Sequence, residues 1–295
     1  MKNYTLQETK NPDLFRVVDQ SGNWKNYYHK PSNRFLKGVT TILDAGYAKG
    51  ARFNSYLLSV TKEEATKLLE TAGNRGDKIH QAIAKLFELG GKAEREKFYV
   101  ADPETKLQVL LSPDEWSALL AFAKFWNDHE AVLVAQEQPV FSLQYGYAGT
   151  FDGIVILKKA CGGRSCKCKD FLDKAGVWDW KSGGAIYDSY GPQVAAYANA
   201  ENTYELLKDI PKYTAILRVG TKHVSGYETD LYDVKETKQH WKEFLSAKLI
   251  ADVTCPDFTP EEVKEIPDSI ELKIEVPKPV EVKVKKVVRK LTKVK

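Results

Sequence analysis

Two acids and a lysine fall on neighbouring apolar segments of this chain. Asp152 follows Gly149-Thr150-Phe151 and runs into Gly153-Ile154-Val155-Ile156-Leu157. Asp179 lies 27 residues later, in Val177-Trp178-Asp179-Trp180-Lys181. When water attacks a phosphodiester, negative charge grows on the non-bridging and leaving oxygens. One or two Mg²⁺ ions held by carboxylates neutralise that charge and lower the pKa of the water. A lysine beside them orients the water or offsets charge. An aspartate ending one strand and an Asp-x-Lys ending the next are therefore the minimum equipment of a metal-dependent nuclease.

An acid-x-Lys triplet carries little by itself. The chain also contains Glu8-Thr9-Lys10, Glu104-Thr105-Lys106, Asp233-Val234-Lys235, Glu236-Thr237-Lys238 and Glu262-Val263-Lys264. Context singles out Asp179. Its triplet follows an apolar strand and a Gly-x-x-Asp strand start, and it precedes a helix that carries Gln193 and Tyr197 one turn apart.

The elements that position these residues follow from periodicity and punctuation. The first sixty residues read as β-rich, with Leu36 to Leu43 as a β-branched segment, followed by a helix over Glu63 to Leu89 softened at Gly73 and Gly76. Gly90-Gly91 stops that helix. Ser112-Pro113-Asp114-Glu115 is a capping box that opens a second one. Strands are expected over 131–135, 138–143, 147–157 and 175–180. A third helix should run from Ser189 to about Leu207, then strands over 213–219 and 227–232, and a last helix over 235–250. This order implies an α/β fold with one mixed sheet flanked by helices.

These motifs together resemble the PD-(D/E)xK nuclease superfamily, in its RecB-type branch with phage recombination exonucleases and CRISPR-associated RecB-like nucleases. The matching stretches are Gly76 to His80, Glu137, Gly149 to Asp152, Asp179 to Lys181 and Gln193 to Tyr197, in that order. Val39-Thr40-Thr41-Ile42-Leu43 also resembles a segment common in phage-encoded members. The resemblance spans roughly residues 35 to 250. It implies a restriction-endonuclease-like core and a Mg²⁺- or Mn²⁺-dependent deoxyribonuclease, an exonuclease in recombination, repair or phage DNA metabolism. It also implies a helicase or recombination partner. Asp152, Asp179, His80 and the Trp180 carbonyl would bind metal, with Glu137 as a further acid. Lys181 would position or activate water, and Gln193 and Tyr197 would brace the lysine strand or touch the substrate backbone. On residue chemistry alone, other readings stay open. Asp152 also suits a turn, Asp179 with Lys181 an edge-strand ion pair, and His80 a satisfied helix histidine. Tyr197 suits a core aromatic, and Glu137 solvent-facing charge.

The rest of the chain sets bounds. Its 295 residues, 43% hydrophobic, suffice for one substantial core or two small ones. No apolar run reaches the roughly 18 residues of a membrane span, and the first residues lack a secretory h-region. Four cysteines are too few for a disulfide scaffold, which points to a reducing cytoplasm. The expected division is an N-terminal segment over 1–60, a nuclease-like domain over 61–265 and a basic tail over 266–295. From Pro277 to Lys295 there are eight Lys or Arg against Glu281. The tail's +7 against the chain's +4 leaves −3 on residues 1–276, so any DNA groove must be local. Such a tail reads as a poorly ordered phosphate clamp or a solubilising terminus.

Between the two acidic strands lies Cys161-Gly162-Gly163-Arg164-Ser165-Cys166-Lys167-Cys168. Cys161, Cys166 and Cys168 can ligate Zn²⁺ with Cys255 or a histidine as fourth ligand, or they are free thiols in a basic loop. The iron–sulfur cluster of some RecB-type nucleases is not carried over. Their cysteines bracket the domain, and none precedes Cys161 here. Two further readings compete with the nuclease. One is a catalytically inactive nucleic-acid-binding module on the same fold. The other is an interaction protein built on the cysteine loop and tail. Oligomeric state, strand preference and polarity have no signature in the sequence.

Overall fold

The computed structural model describes residues 4–19, 24–48, 50, 59–162, 167–207, 211–220 and 226–254. Residues 266–295, with the basic tail, lie outside the described residues, as do Cys166 and Cys255.

Four antiparallel strands come first: β1 (Tyr4–Glu8), β2 (Leu14–Asp19), β3 (Trp24–His29) and β4 (Arg34–Gly38). A short helix, α1 (Val39–Gly46), follows directly. The β-branched segment Leu36 to Leu43 suggests a strand; Leu36–Gly38 does end β4, but from Val39 onward the structure corrects this. Val39, Ile42 and Leu43 recur at helical spacing and are all buried, so core burial overrides the local preference.

The next helix, α2 (Lys62–Glu88), is continuous, and open space surrounds Gly73. Thr61 and Glu64 cap its start reciprocally. It ends at Gly90 and Gly91, both at positive φ, whose N–H groups bond the carbonyls of Phe87 and Leu86. The small hairpin β5 (Tyr99–Ala101) and β6 (Gln108–Leu110) leads to α3 (Pro113–Asp128). Ser112 and Glu115 cap α3 as expected.

The centre is β7 (Val132–Ser142), β8 (Tyr147–Ile156), β9 (Ala175–Lys181), β10 (Tyr213–Val219) and β11 (Tyr227–Tyr232). The strands expected over 131–135 and 138–143 are one bulged strand, β7. Nine strands of the described residues form one sheet in the order β1-β2-β3-β4-β8-β9-β10-β11, with β7 also on β8. The β4–β8 and β9–β10 pairs are parallel, so the sheet is mixed. The first four strands extend the central sheet through β4.

The helix expected from Ser189 to Leu207 is two: α4 (Tyr190–Ala198) and α5 (Glu201–Leu207). Thr203 Oγ1 donates to the Tyr197 carbonyl and holds the break. Helix α6 (Val234–Thr254) closes the described chain.

Helices cover both faces. Ile79 and Ile83 of α2 and Phe122 and Phe125 of α3 pack with Trp178 and Trp180 on one face. Ile42 of α1, Ala196 of α4 and Phe244 of α6 pack with Tyr147, Phe151 and Val177 on the other. Each large apolar side chain buried this way contributes about 1.5–3 kcal/mol. The expected mixed sheet flanked by helices is thus the architecture observed.

Candidate active site

The site forms where the sheet forks. Strand β7 pairs with β8 from Tyr147 to Ile156. The other edge of β8 is shared: β4 takes Tyr147 and Ala148, while β9 takes Gly153 to Ile156. Asp152 sits beside the fork, inside β8 and not at its end as its sequence context suggests.

The strand also rotates there. Phe151 packs on the α1/α4/α6 face, whereas a side chain on Gly153 would meet Trp180 on the opposite face. Residues two apart on a regular strand share a face, so the pleat changes phase at Asp152. Its carboxylate lies along the sheet, and Oδ2 accepts a 2.6 Å hydrogen bond from the Trp180 backbone N–H. Between the pairs Gln136–Gly153 and Gln138–Phe151, Glu137 has a φ of 46°.

Strand β9 places Val177 and Asp179 toward α4, with Trp178 and Trp180 toward α2 and α3. Pairing with β10 fixes this register, Asp179 opposite Ile216 and Lys181 opposite Arg218. Lys181 Nζ is 2.6 Å from Asp179 Oδ2 and donates to Gln193 Oε1 at 3.0 Å. Gln193 Nε2 donates to Asp179 Oδ1 at 3.0 Å and to Tyr197 Oη at 2.9 Å. The amide orientation follows from chemistry, since lysine only donates and a carboxylate only accepts.

From the opposite face, α2 supplies His80. Its Nδ1 faces Asp152 Oδ1 and its Nε2 faces the Trp180 carbonyl, each at 3.1 Å. Two hydrogen-bonded sets thus flank the Trp180 main chain, His80 with Asp152 on one side and Asp179 with Lys181, Gln193 and Tyr197 on the other, and residues more than a hundred positions apart are brought together. Two neighbours had no sequence signal. The ring of Tyr190 lies 4.5 Å from Lys181 Nζ in a cation–π contact, and Arg75 Nη1 donates to the Ser182 carbonyl.

The electrostatics are those of two buried acids, each paired with a cationic side chain. Asp179 and Asp152 are 3% and 7% exposed. Burial pushes the Asp179 carboxyl up, Lys181 opposes that, and Asp152 adds to it. Burial disfavours a charged Lys181, but the Asp179 carboxylate holds its pKa above the usual lysine value. Burial likewise works against a charged His80, yet Asp152, by charge and hydrogen bond, raises it to about 9. Asp179 Oδ2 is buried and has no hydrogen-bond partner, despite its charge contact with Lys181. Two carboxylates and a carbonyl are oxygen donors of the kind that suit Mg²⁺ or Mn²⁺, with the His80 imidazole beside them. The residues fit such an ion.

Glu137 stands opposite Asp152 across β7–β8, with Lys10 Nζ 3.9 Å from its Oε2 and its side chain 35% exposed. No direct bond to either set is observed among the described residues. Of the cysteine loop, Cys161 and Cys168 come together with their sulfurs 3.7 Å apart. The histidine that joins them is His129, 32 residues before Cys161.

No family model matches the chain, and no curated protein matches it. Among solved structures, the chain is similar to an alkaline exonuclease, LHK-Exo, from Laribacter hongkongensis. The identity is 10%, over 75% of this chain and 92% of that one, with a TM-score of 0.26. It is also similar to LHK-Exo in complex with dAMP, at 9% identity over 75% and 88% of the two chains and a TM-score of 0.29. At so low an identity and TM-score, function has to be read from this chain's own side chains. No helix among the described residues is long and apolar enough to cross a membrane.

Proposed function

We propose that this chain is a Mg²⁺- or Mn²⁺-dependent DNA nuclease on a restriction-endonuclease-like core, an exonuclease of recombination, repair or phage DNA metabolism. The supporting observation is the convergence of His80, Asp152, Asp179, Lys181 and the Trp180 carbonyl at the sheet fork. Asp152, Asp179, the Trp180 carbonyl and His80 would hold the ion, with Glu137 as a further acid nearby. When bound, the ion supplies charge for the phosphate oxygens and acidifies water.

The chain's own groups do the rest. Lys181 Nζ, held by Asp179 and Gln193, orients the attacking water and offsets charge growing on the phosphate. Tyr197 keeps the Gln193 amide turned so that its oxygen faces Lys181. Tyr190 covers the lysine and limits its rotation. His80 and Lys181, with side chains 31% and 19% exposed, form the rim through which a DNA backbone reaches the acids.

The test is cleavage of end-labelled linear single strand, linear duplex and closed circle by purified protein with Mg²⁺ or Mn²⁺, and with a chelator. Asp179→Asn and Lys181→Met should each lower cleavage by more than about a hundredfold while the protein stays folded. Undiminished cleavage by either variant sinks the assignment. DNA binding without metal and without cleavage by the wild type would favour the inactive binding module.

A further inference from the structure

A second cluster lies at the other end of the strand pair. The connection between β8 and β9 carries Cys161 on its outgoing side and Cys168 on its returning side, in a 3₁₀ turn over Lys167–Phe171. His129 caps the C-terminus of α3 beside them. One donor atom from each of His129, Cys161 and Cys168 lies within 4.8 Å of the others.

The chemistry of His129 makes this more than proximity. The residue is fully buried. Its Nδ1 is 3.1 Å from the Lys159 carbonyl, which can only accept, so Nδ1 carries the proton. That leaves Nε2 as a bare lone pair, and Nε2 is buried with no hydrogen-bond partner. A buried nitrogen acceptor without a donor is costly unless something else takes its lone pair. The backbone is organised around the same residue, since the Lys158 and Lys159 N–H groups both bond the His129 carbonyl at 3.0 and 2.9 Å.

The sulfurs agree. At 3.7 Å they are too far apart for a disulfide, whose bond is about 2.05 Å. Two thiolates each about 2.3 Å from one tetrahedral ion are separated by roughly 3.75 Å.

We propose that His129, Cys161 and Cys168 bind a structural Zn²⁺ ion that pins the β8–β9 connection to the end of α3. Nitrogen with two thiolates selects zinc over Mg²⁺ or Mn²⁺, which prefer oxygen. The Nδ1–H bond to Lys159 is the outer contact that orients a ligating imidazole. Binding displaces the two thiol protons to solvent, and the fourth position of the tetrahedron is filled from outside these three residues. The pairs from Gly153–Trp178 to Ile156–Ala175 separate this site from Asp152 and Asp179. The ion thus fastens the base of the hairpin whose far end carries both acids. The inference does not depend on the nuclease reading.

Element analysis of the full chain, purified under reducing conditions, should find about one zinc per chain. Asp179→Asn should retain it. Cys161→Ser and Cys168→Ser should each lose it and unfold several degrees lower, as should wild type treated with a strong chelator. His129→Gln tests the nitrogen, and because that position is buried, cobalt substitution of the wild type gives an independent reading. A thiolate-to-cobalt charge-transfer band with tetrahedral d–d bands is expected, and the oxygen-rich site at the fork cannot produce it. Zinc-free protein after reconstitution, zinc retained by both serine variants, or a cobalt spectrum without thiolate bands would each overturn the proposal. None of these readouts requires cleavage, so the zinc site and the nuclease activity fail or stand separately.

Discussion

The ring of Tyr197 occupies the space that a side chain on Gly149 would need. A Cβ there would lie 2.5 Å from Tyr197 Cε1 and 3.2 Å from Val39 Cγ2. Tyr197 is fixed in turn, because its hydroxyl accepts from Gln193 Nε2. Gly149→Ala should therefore cost about 1–3 kcal/mol of stability by overpacking. It should also lower cleavage by displacing the Tyr197–Gln193 pair. In a Tyr197→Leu background the same substitution should cost less, and a double-mutant cycle on unfolding free energies measures the difference. Additive costs would mean the clash is relieved elsewhere.

Gln193 joins three groups of the proposed site. It accepts from Lys181 and donates to Asp179 and Tyr197. Gln193→Ala leaves Lys181 its charge contact with Asp179 but removes the acceptor that aims it. The loss of one such hydrogen bond to a charged group is about 1.5–3 kcal/mol, or roughly 10–100-fold in kcat. KM for DNA should change little, since the side chain is buried and acts through Lys181. A large rise in KM with unchanged kcat would instead place Gln193 on the substrate backbone.

Residue types that act locally were legible, and long-range pairings were not. Ser112-Pro113-Asp114-Glu115 announces its helix because a capping box is complete within four residues. The apolar runs around Asp152 and Asp179 announce their strands for the same reason. Val39 to Leu43 misleads because the partners that make it a helix, Phe244 and Ala247 in α6, lie some two hundred residues away. The break after Ala198 depends on one side-chain bond from Thr203 to Tyr197. At the site, the order of the motifs was readable, but the fork that brings them together arises from β4 and β9 sharing one edge of β8. His129 was invisible as a partner of the cysteines, because a separation of 32 residues carries no periodic signal.

The capping residue Glu115 should also contribute to acid sensitivity of the fold. It is 4% exposed and bonds Lys78 Nζ at 2.7 Å, which ties α3 to α2. Burial raises its pKa, but the Lys78 and Ser112 hydrogen bonds outweigh that and hold it below the usual glutamate value. A depressed folded-state pKa contributes stability above the unfolded pKa and loses it as pH falls through the folded one. Glu115→Gln should thus lower stability at neutral pH by about 1–3 kcal/mol and flatten the acid limb of the stability curve. Chemical unfolding of both proteins across the acidic range measures this, and parallel curves would remove Glu115 from the acid response.

His80 spans two oxygen acceptors, Asp152 Oδ1 and the Trp180 carbonyl, with its two ring nitrogens. Both oxygens are also in the set that would hold the ion. Without an ion, the imidazolium supplies positive charge to them; with one, the neutral ring can donate its lone pair. On the proposed reading these roles distinguish His80 from Asp179, whose carboxylate would be needed in either state. His80→Gln keeps a polar group near Asp152 but loses the strong nitrogen ligand. The metal concentration for half-maximal cleavage should rise by at least about tenfold. At saturating Mg²⁺ or Mn²⁺ much of the rate should return, whereas Asp179→Asn should stay inactive at every metal concentration. Titrating both metals against initial cleavage rate separates the two. A His80→Gln protein with unshifted metal dependence would make the histidine a packing residue of α2.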